Sequence, residues 1–241
     1  GPVAETNAFD EPVPGFVGPE GDGYSYGAEN YVNPAFSAWA SGSVYQPAPS
    51  IGPDWTNSAL ALGPVTGDEL DIVSLGDLTG GMLATGAPAG RLTLSFPVAV
   101  SDKYGPDFVV FENGFANGDD LFADLGYVEV SSDGTNFARF PSAYLGTNAV
   151  GQYGMVRATQ VYNLCGKHMN AGGDSWGTPF DLGELALEPA VQDGRDTIGK
   201  RPSFPCLLAD PGRPGPGPPR IDRKQVRDNR SDPLRIRQHG S

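Results

Sequence analysis

Glycine and proline interrupt this sequence so often that few long helices can form. The chain has 34 Gly and 23 Pro in 241 residues, together about 24% and roughly twice the ordinary usage. Gly loses more backbone entropy than any other residue on entering a helix, and Pro removes a backbone donor. An all-β fold with many turns is therefore favoured. The length is sufficient for one such domain to bury its own core.

Alternating hydrophobicity predicts where the strands lie. Apolar residues occupy every second position of 92–100, and the segment YVEVS at 127–131 alternates before a Ser-Asp-Gly turn. The continuous apolar run at 108–111 is typical of a strand buried on both faces, and 182–187 is a weaker strand candidate. We therefore predict a single β-sandwich, jelly-roll-like, with Gly/Pro-rich loops and an irregular C-terminal tail.

Charge divides the chain into unlike parts. Residues 1–194 hold 5 Lys/Arg and 24 Asp/Glu, whereas residues 195–241 hold 11 Lys/Arg and 5 Asp/Glu. We expect a flexible N-terminal arm over 1–20 and the sandwich domain over 21–190. The Arg/Pro-rich tail at 191–241 is expected to be disordered, or to be an out-of-frame reading of the gene.

The acidic balance excludes some partners. The net charge is −13 and the pI is about 4.4, so the surface repels nucleic-acid phosphates and anionic lipids. No apolar run approaches the roughly 20 residues needed to cross a bilayer. We expect no nucleic-acid partner and no membrane insertion, while the oligomeric state stays open.

A cluster of oxygen-bearing side chains lies around a loop between two predicted strands. Calcium takes six to eight oxygen ligands from carboxylates, amides and carbonyls, and a loop rich in Gly, Asn and Asp can supply them. No EF-hand spacing is present, and a solvated acidic loop is the competing interpretation. Glu112 stands out because it interrupts an apolar strand end, where an unpaired charge is costly. The candidate ligands are Asp107, Glu112, Asn113, Asn117, Asp119, Asp120 and Asp124.

Catalytic chemistry finds weak support in the sequence. The segment Gly173–Gly177 contains Gly-Asp-Ser, but a serine triad needs a histidine held by a carboxylate, and the chain has only His168 and His239. Lys167 and His168, with Tyr162, could act as base and acid of a polysaccharide lyase. We therefore expect a protein that is not an enzyme, with lyase or glycosidase activity kept as an alternative.

Aromatic residues in Gly- and Asn-rich surroundings are candidate sugar platforms, because their rings stack on the apolar faces of sugars. Ordinary packing over the sandwich is the competing interpretation for each ring. The aromatic group comprises Tyr24, Tyr26, Tyr31, Trp39, Tyr45, Trp55 and Trp176. The residues predicted to contact a ligand are Tyr45, Trp55, Trp176, Lys167 and His168.

Several motifs resemble those of a poorly characterised family of secreted or surface-displayed bacterial proteins, many with C-terminal sorting signals such as PEP-CTERM. The motifs lie within residues 30–187 and include VSLGDL, FENGF, VEVSSDG, NLCGKH and GTPFDLGEL. The hairpin VEVSSDGTNF is also similar to one in discoidin-type galactose-binding jelly rolls. The resemblance implies an extracellular or cell-surface location, which would permit Cys165 and Cys206 to pair.

Taken together, we expect a non-catalytic secreted or cell-surface binding domain whose ligand is a glycan and whose loops calcium supports. One alternative is a structural surface-layer or matrix protein that self-associates through divalent cations. A second is the lyase or glycosidase.

Overall fold

The computed structural model describes residues 12–19, 23–76, 78–147 and 155–192, together with the backbone of 206–209. Short antiparallel strands predominate in this part of the chain, and the helices are few-residue segments. The all-β class predicted from the Gly and Pro content is confirmed.

The strands of the described residues are mostly two to five residues long, as the frequent turns require. In chain order they are β1 (Val13–Pro14), β2 (Phe16–Val17), β3 (Tyr31–Val32), β4 (Gly42–Gln46), β5 (Arg91–Ser95), β6 (Phe108–Val110), β7 (Phe115–Asn117), β8 (Asp120–Phe122), β9 (Gly126–Val130), β10 (Ala138–Arg139), β11 (Ala143–Tyr144), β12 (Val161–Tyr162), β13 (Leu164–Cys165), β14 (Trp176–Phe180) and β15 (Cys206–Ala209).

The helical segments are equally short. They are α1 (Gly80–Ala84), α2 (Pro189–Gln192) and 3-10 turns at Pro53–Trp55, Ser58–Ala61, Ala158–Gln160 and Leu182–Leu185. A search of the described residues for a helix long and apolar enough to cross a bilayer finds none.

Two sheets organise these strands, and every named strand pair is antiparallel. The larger sheet has the order β10-β9-β15-β5-β4, with β13 also pairing with β9. The smaller one has the order β1-β14-β6, and β2-β3, β7-β8 and β11-β12 form separate two-stranded pairs. The register of β14 against β6 places Phe180 opposite Phe108.

An aromatic cluster joins the two sheets. The Phe108 and Phe180 rings stack with centroids 5.4 Å apart, and Phe140 lies 5.0 Å from Phe180 and 5.8 Å from Phe108. Phe140 and Phe180 are buried, and Val128 and Val130 of β9 belong to the same core cluster. Burial of these rings removes a large apolar area from water, which is the main stabilising term of such a core.

Parts of the predicted arm and tail take part in the sheets. Residues 12–19 of the predicted arm contain β1, which pairs with β14, and β2, which pairs with β3. In the tail, the β15 backbone lies between β5 and β9. Residues 1–11, 193–205 and 210–241 lie outside the described residues, so the predictions for them stay predictions.

Strand register bears on the two cysteines. Cys165 lies opposite Gly126 of β9, and Cys206 lies opposite Val130 of the same strand. Four residues of a strand span about 13 Å, which exceeds the reach of a disulfide. The Sγ of Cys165 instead donates to the Gly126 carbonyl at 3.3 Å.

Two local predictions require correction. The strand at 182–187 is wrong, because Leu182–Leu185 is a 3-10 turn whose Asp181 cap accepts from the Gly183 N–H at 2.7 Å. The strand predicted over 92–100 ends at Ser95. The apolar alternation beyond Ser95 contributes to packing without strand pairing, since Phe96 and Val100 contact the core cluster.

Candidate functional site

Strand β6 separates the predicted calcium ligands into different places. Asp107 immediately precedes β6, whereas Glu112 and Asn113 follow it at its other end. Asp107 lies beside Lys103 and Leu182, whereas Glu112 lies beside Asn113 and Asp124, so the two carboxylates do not share a site.

The remaining predicted ligands belong to the β7-β8 hairpin and its base. Asn117, Asp119 and Asp120 lie at the hairpin tip, where Asp119 is exposed. Asp120 Oδ1 forms an ion pair with Arg157 Nε at 3.2 Å, and the side chains of Arg157 and Asp120 are 63% and 45% exposed. The tip is therefore a solvated acidic turn. The competing interpretation of the sequence had proposed a solvated loop for all seven candidate ligands.

At the hairpin base, Glu112 has an unusual environment. The residue as a whole is half-buried, and its carboxyl group accepts hydrogen bonds from the backbone N–H groups of Asn113 and Asp124. Its Oε2 atom is buried and has no hydrogen-bond partner. Burial raises the pKa of Glu112 well above its usual value, and the negative charge of the buried Asp124 raises it further. An acceptor oxygen enclosed without a donor is costly, so it requires a physical explanation.

Two glycines lie beside this oxygen, and the backbone packs closely around both. A Cβ placed on Gly114 would lie 3.4 Å from Glu112 Oε2, 3.4 Å from the Phe122 carbonyl oxygen and 3.5 Å from the Gly166 carbonyl oxygen. A Cβ on Gly166 would lie 2.8 Å from Glu112 Oε2 and 2.5 Å from the Asp124 carbonyl oxygen. Gly166 has φ +84°, a conformation that favours glycine. We call Glu112 Oε2 and the carbonyl oxygens of Phe122 and Gly166, which lie around the position of a Gly114 Cβ, the oxygen cradle.

Lys167 and His168 come next in the chain after Gly166. Their exposures are only 1% and 2%, so neither offers surface to a large ligand. The following residues hold this segment against the FENGF motif, since Asn170 N–H donates to the Gly114 carbonyl at 3.1 Å. The fold therefore places two predicted metal ligands, Glu112 and Asp124, beside the segment that contains Lys167 and His168. The sequence had predicted that these two residues contact a ligand.

A second group of carboxylates lies at the other end of β6. One oxygen from each of Asp102, Asp107 and Asp181 lies within 4.8 Å of the others. Asp107 accepts from the backbone N–H of Lys103 at 2.7 Å and of Leu182 at 2.9 Å. Burial of Asp107 raises its pKa, these hydrogen bonds oppose the rise, and the charges of Asp181 and Asp102 add to it. Three half-buried carboxylates can hold a hard cation, but such groups often meet without one.

Within the described N-terminal segments, the most exposed aromatic rings are those of Tyr24, Tyr26 and Tyr31. They are 43%, 57% and 57% exposed. The Tyr24 and Tyr26 rings meet edge to face, 6.0 Å apart. Asn30 Nδ2 fixes their backbone by donating to both of their carbonyl groups, at 2.9 and 2.6 Å. We call these three side chains the tyrosine face.

The tyrosine face borders β14. Tyr24 forms a β-bridge with Asp174, and Asp174 Oδ1 accepts from the half-buried Trp176 indole at 3.2 Å. Gly23 and Gly173 permit close packing here, because a Cβ on either would overlap the ring of Trp176 or of Tyr26. Of the predicted ligand contacts, Trp176 alone lies beside this exposed group.

Tyr45 and Trp55 lie elsewhere and are half-buried. The Tyr45 hydroxyl donates to the Ser74 carbonyl, and the Ser74 N–H donates to the Trp55 carbonyl at 3.0 Å. The Tyr45 ring packs on Leu75 and Leu92. Burial raises the pKa of Tyr45. These contacts are those of ordinary packing.

The serine of the Gly-Asp-Ser segment lacks a catalytic arrangement. Ser175 has no exposed surface, and its Oγ is buried without a hydrogen-bond partner. A nucleophilic serine needs a base in hydrogen-bonding contact and access to substrate. Ser175 has neither.

Sequence reasoning missed Asp102, Asp181 and the backbone oxygens of the cradle. Asp181 is 74 positions from Asp107 and meets it only through the β6-β14 register. A carbonyl oxygen carries no signal in the sequence, although the glycines at 114 and 166 marked where backbone could approach closely. Comparison of the chain with models of protein families, with curated proteins and with solved structures gave no match.

Proposed function

We propose that the chain is a non-catalytic binding domain of the cell surface or the extracellular space, a jelly-roll-like β-sandwich that binds a glycan with calcium supporting its loops. The observation that carries this proposal is the tyrosine face. Three exposed rings lie within eight residues of chain, while Tyr45, Trp55 and Trp176 are partly covered by packing. Exposed aromatic groups on a fixed backbone are typical of binding surfaces, because rigid rings lose little entropy on contact.

Polar groups beside the tyrosine face suit a ligand with many hydroxyl groups. Asp174 supplies a carboxylate and Ser25 a hydroxyl, which donates to the Gly173 carbonyl at 3.1 Å. A sugar presents one apolar face to a ring and hydroxyl groups around its edge. This combination favours a glycan over an apolar peptide.

The motif resemblance supports the same location and class. The segments FENGF and VEVSSDG resemble secreted and surface-displayed bacterial proteins, and the second forms the β9-β10 hairpin. The resemblance to discoidin-type jelly rolls supports a sandwich that binds sugars. Self-association through cations and polysaccharide cleavage remain the alternatives.

A glycan array probed with the purified full chain, followed by calorimetry with the best glycan, tests the proposal. Changing Tyr24 and Tyr26 together to Ala should weaken binding by at least about tenfold, because each change removes a stacking surface. Tyr104→Ala is the matched control, since Tyr104 is fully exposed near Asp107, at the other end of β14. It should leave the affinity unchanged.

Other outcomes would favour the alternatives. Release of unsaturated or reducing sugars from polysaccharides would establish an enzyme, and loss of that activity in Lys167→Ala would support the lyase. Calcium-dependent growth of particle mass in ultracentrifugation, without glycan binding, would indicate a self-associating matrix protein.

A further inference from the structure

We infer that the oxygen cradle binds one calcium ion, with Glu112 as its side-chain carboxylate ligand and the carbonyl oxygens of Phe122 and Gly166 as backbone ligands. This deepens the calcium part of the proposed function, and its test uses no glycan. A failure here and a failure of glycan binding are therefore distinguishable.

The Glu112 carboxylate carries a buried oxygen that lacks a donor. Glu112 Oε2 is enclosed and accepts no hydrogen bond, although its carboxyl group accepts two backbone N–H groups. The charge of Asp124, which is also negative, acts on it unfavourably. A buried carboxylate with a like-charged neighbour is stable only if a proton or a cation compensates it.

Three oxygen atoms converge on one position beside Gly114. Glu112 Oε2, Phe122 O and Gly166 O all lie within 3.5 Å of the position that a Gly114 Cβ would take. The Asp124 carbonyl oxygen borders the same region from the side of Gly166. These atoms come from the FENGF motif, β8 and the segment after β13, so the fold assembles the cradle from three parts of the chain.

The types of oxygen in the cradle favour calcium over magnesium. Calcium binds carboxylate and backbone carbonyl oxygens at about 2.3–2.6 Å in a flexible geometry, whereas magnesium keeps several waters and demands an octahedron. A cradle made mainly of backbone carbonyls therefore favours calcium. Two more buried oxygens without partners belong to residues adjoining Gly114, namely Asn113 Oδ1 and Asn170 Oδ1.

A thermal unfolding experiment on the purified full chain tests the site. At a calcium concentration about 100 times the dissociation constant, the midpoint should rise by about 5–10 °C over the value in excess EDTA. Magnesium at the same concentration should give a smaller shift. Calorimetry should report one calcium ion per chain for the cradle.

Two variants locate the ion. Glu112→Gln keeps the shape of the side chain but removes the charge, and Gly114→Ala places a methyl group in the cradle with ordinary contacts of 3.4–3.5 Å. Both should fold in EDTA and lose the calcium shift. Gly80→Ala, which meets open space, and Asp119→Asn, an exposed acid of the hairpin tip, should keep it.

Three results would overturn the inference. The first is no calcium shift in the unchanged chain, with Glu112→Gln as stable as the parent, as expected for a carboxyl group kept neutral by a proton. The second is no calcium shift together with a large loss of stability in Lys167→Met, which would make the compensation an ion pair. The third is a calcium shift that survives in Glu112→Gln and Gly114→Ala but is lost in Asp181→Asn.

Discussion

The aromatic cluster between the sheets and the base of the β7-β8 hairpin are both buried, but unlike side chains fill them. The first consists of Phe108, Phe140 and Phe180 with aliphatic neighbours. The second encloses Glu112 and lies beside the buried Lys167. Apolar packing explains the first cluster completely. The base of the hairpin contains charged side chains that packing does not require, and buried charges of this kind mark sites where a function is expected.

The largest effect on the free energy of unfolding is expected in the aromatic cluster. Phe140→Ala removes a ring that is 1% exposed and contacts two others, so the free energy of unfolding should fall by about 3–5 kcal/mol. Urea denaturation measures this change. Leu187→Ala, at an 88% exposed site, is the control and should change stability by less than about 0.5 kcal/mol. Equal effects of the two changes would contradict the assignment of the core.

A second prediction compares the two glycines of the oxygen cradle. Gly166→Ala requires a side chain at φ +84° and brings its Cβ to 2.5 Å from a carbonyl oxygen, so it should cost about 2–4 kcal/mol. Gly114→Ala meets only ordinary contacts and should cost less than about 1 kcal/mol in EDTA. Chemical denaturation in EDTA gives both values. The reverse order would show that the cradle geometry is wrong.

A third prediction concerns Asp133. Both of its carboxylate oxygens accept hydrogen bonds, whereas Glu112 Oε2 accepts none. Asp133 in the β9-β10 turn accepts from the N–H groups of Thr135 and Asn136 at 2.7 Å, and from the Asn136 side chain at 2.6 Å. These hydrogen bonds hold its pKa well below the usual value.

The sign of the pH dependence follows from that shift. The pKa of an unfolded Asp is about 3.9, so the stabilisation from Asp133 is complete at neutral pH and is lost as the pH falls through the lower folded-state pKa. Asp133→Asn should therefore be less stable than the parent at pH 7, and the difference should shrink below about pH 5. Denaturation curves at pH 7, 5, 4 and 3 test this. A difference independent of pH would show that the carboxylate charge has no role in the turn.

The smallest effect is expected at the hairpin tip. The exposed pair of Asp120 and Arg157 is screened by water, so Asp120→Asn should change stability by less than about 1 kcal/mol. It should also leave the calcium shift intact. Loss of that shift in thermal unfolding would transfer the cation site from the cradle to the tip.

Local patterns predicted the elements whose partners are close in the chain. The alternation at 127–131 and the Ser-Asp-Gly turn predicted β9 and its hairpin, which pairs Val130 with Ala138. The pattern at 92–100 predicted β5, although its end was placed too late. The short apolar run at 182–187 did not reveal the 3-10 turn, because a side-chain cap at Asp181 decided the conformation.

The site was harder to predict because it depends on contacts between distant segments. Proximity in the sequence grouped Asp107 with Glu112, but β6 holds them apart. Lys167 and His168 were predicted to contact a ligand, yet they are buried, since burial depends on which segments cover them. Glu112 was the exception, because a charge within an apolar run already indicated a costly position that needs compensation.

A crystal structure of the full chain grown with calcium tests the central claim most directly. We expect one ion about 2.3–2.6 Å from Glu112 Oε2 and from the carbonyl oxygens of Phe122 and Gly166. A cradle without an ion, in which a protonated Glu112 donates a hydrogen bond to one of those carbonyl oxygens, would contradict it.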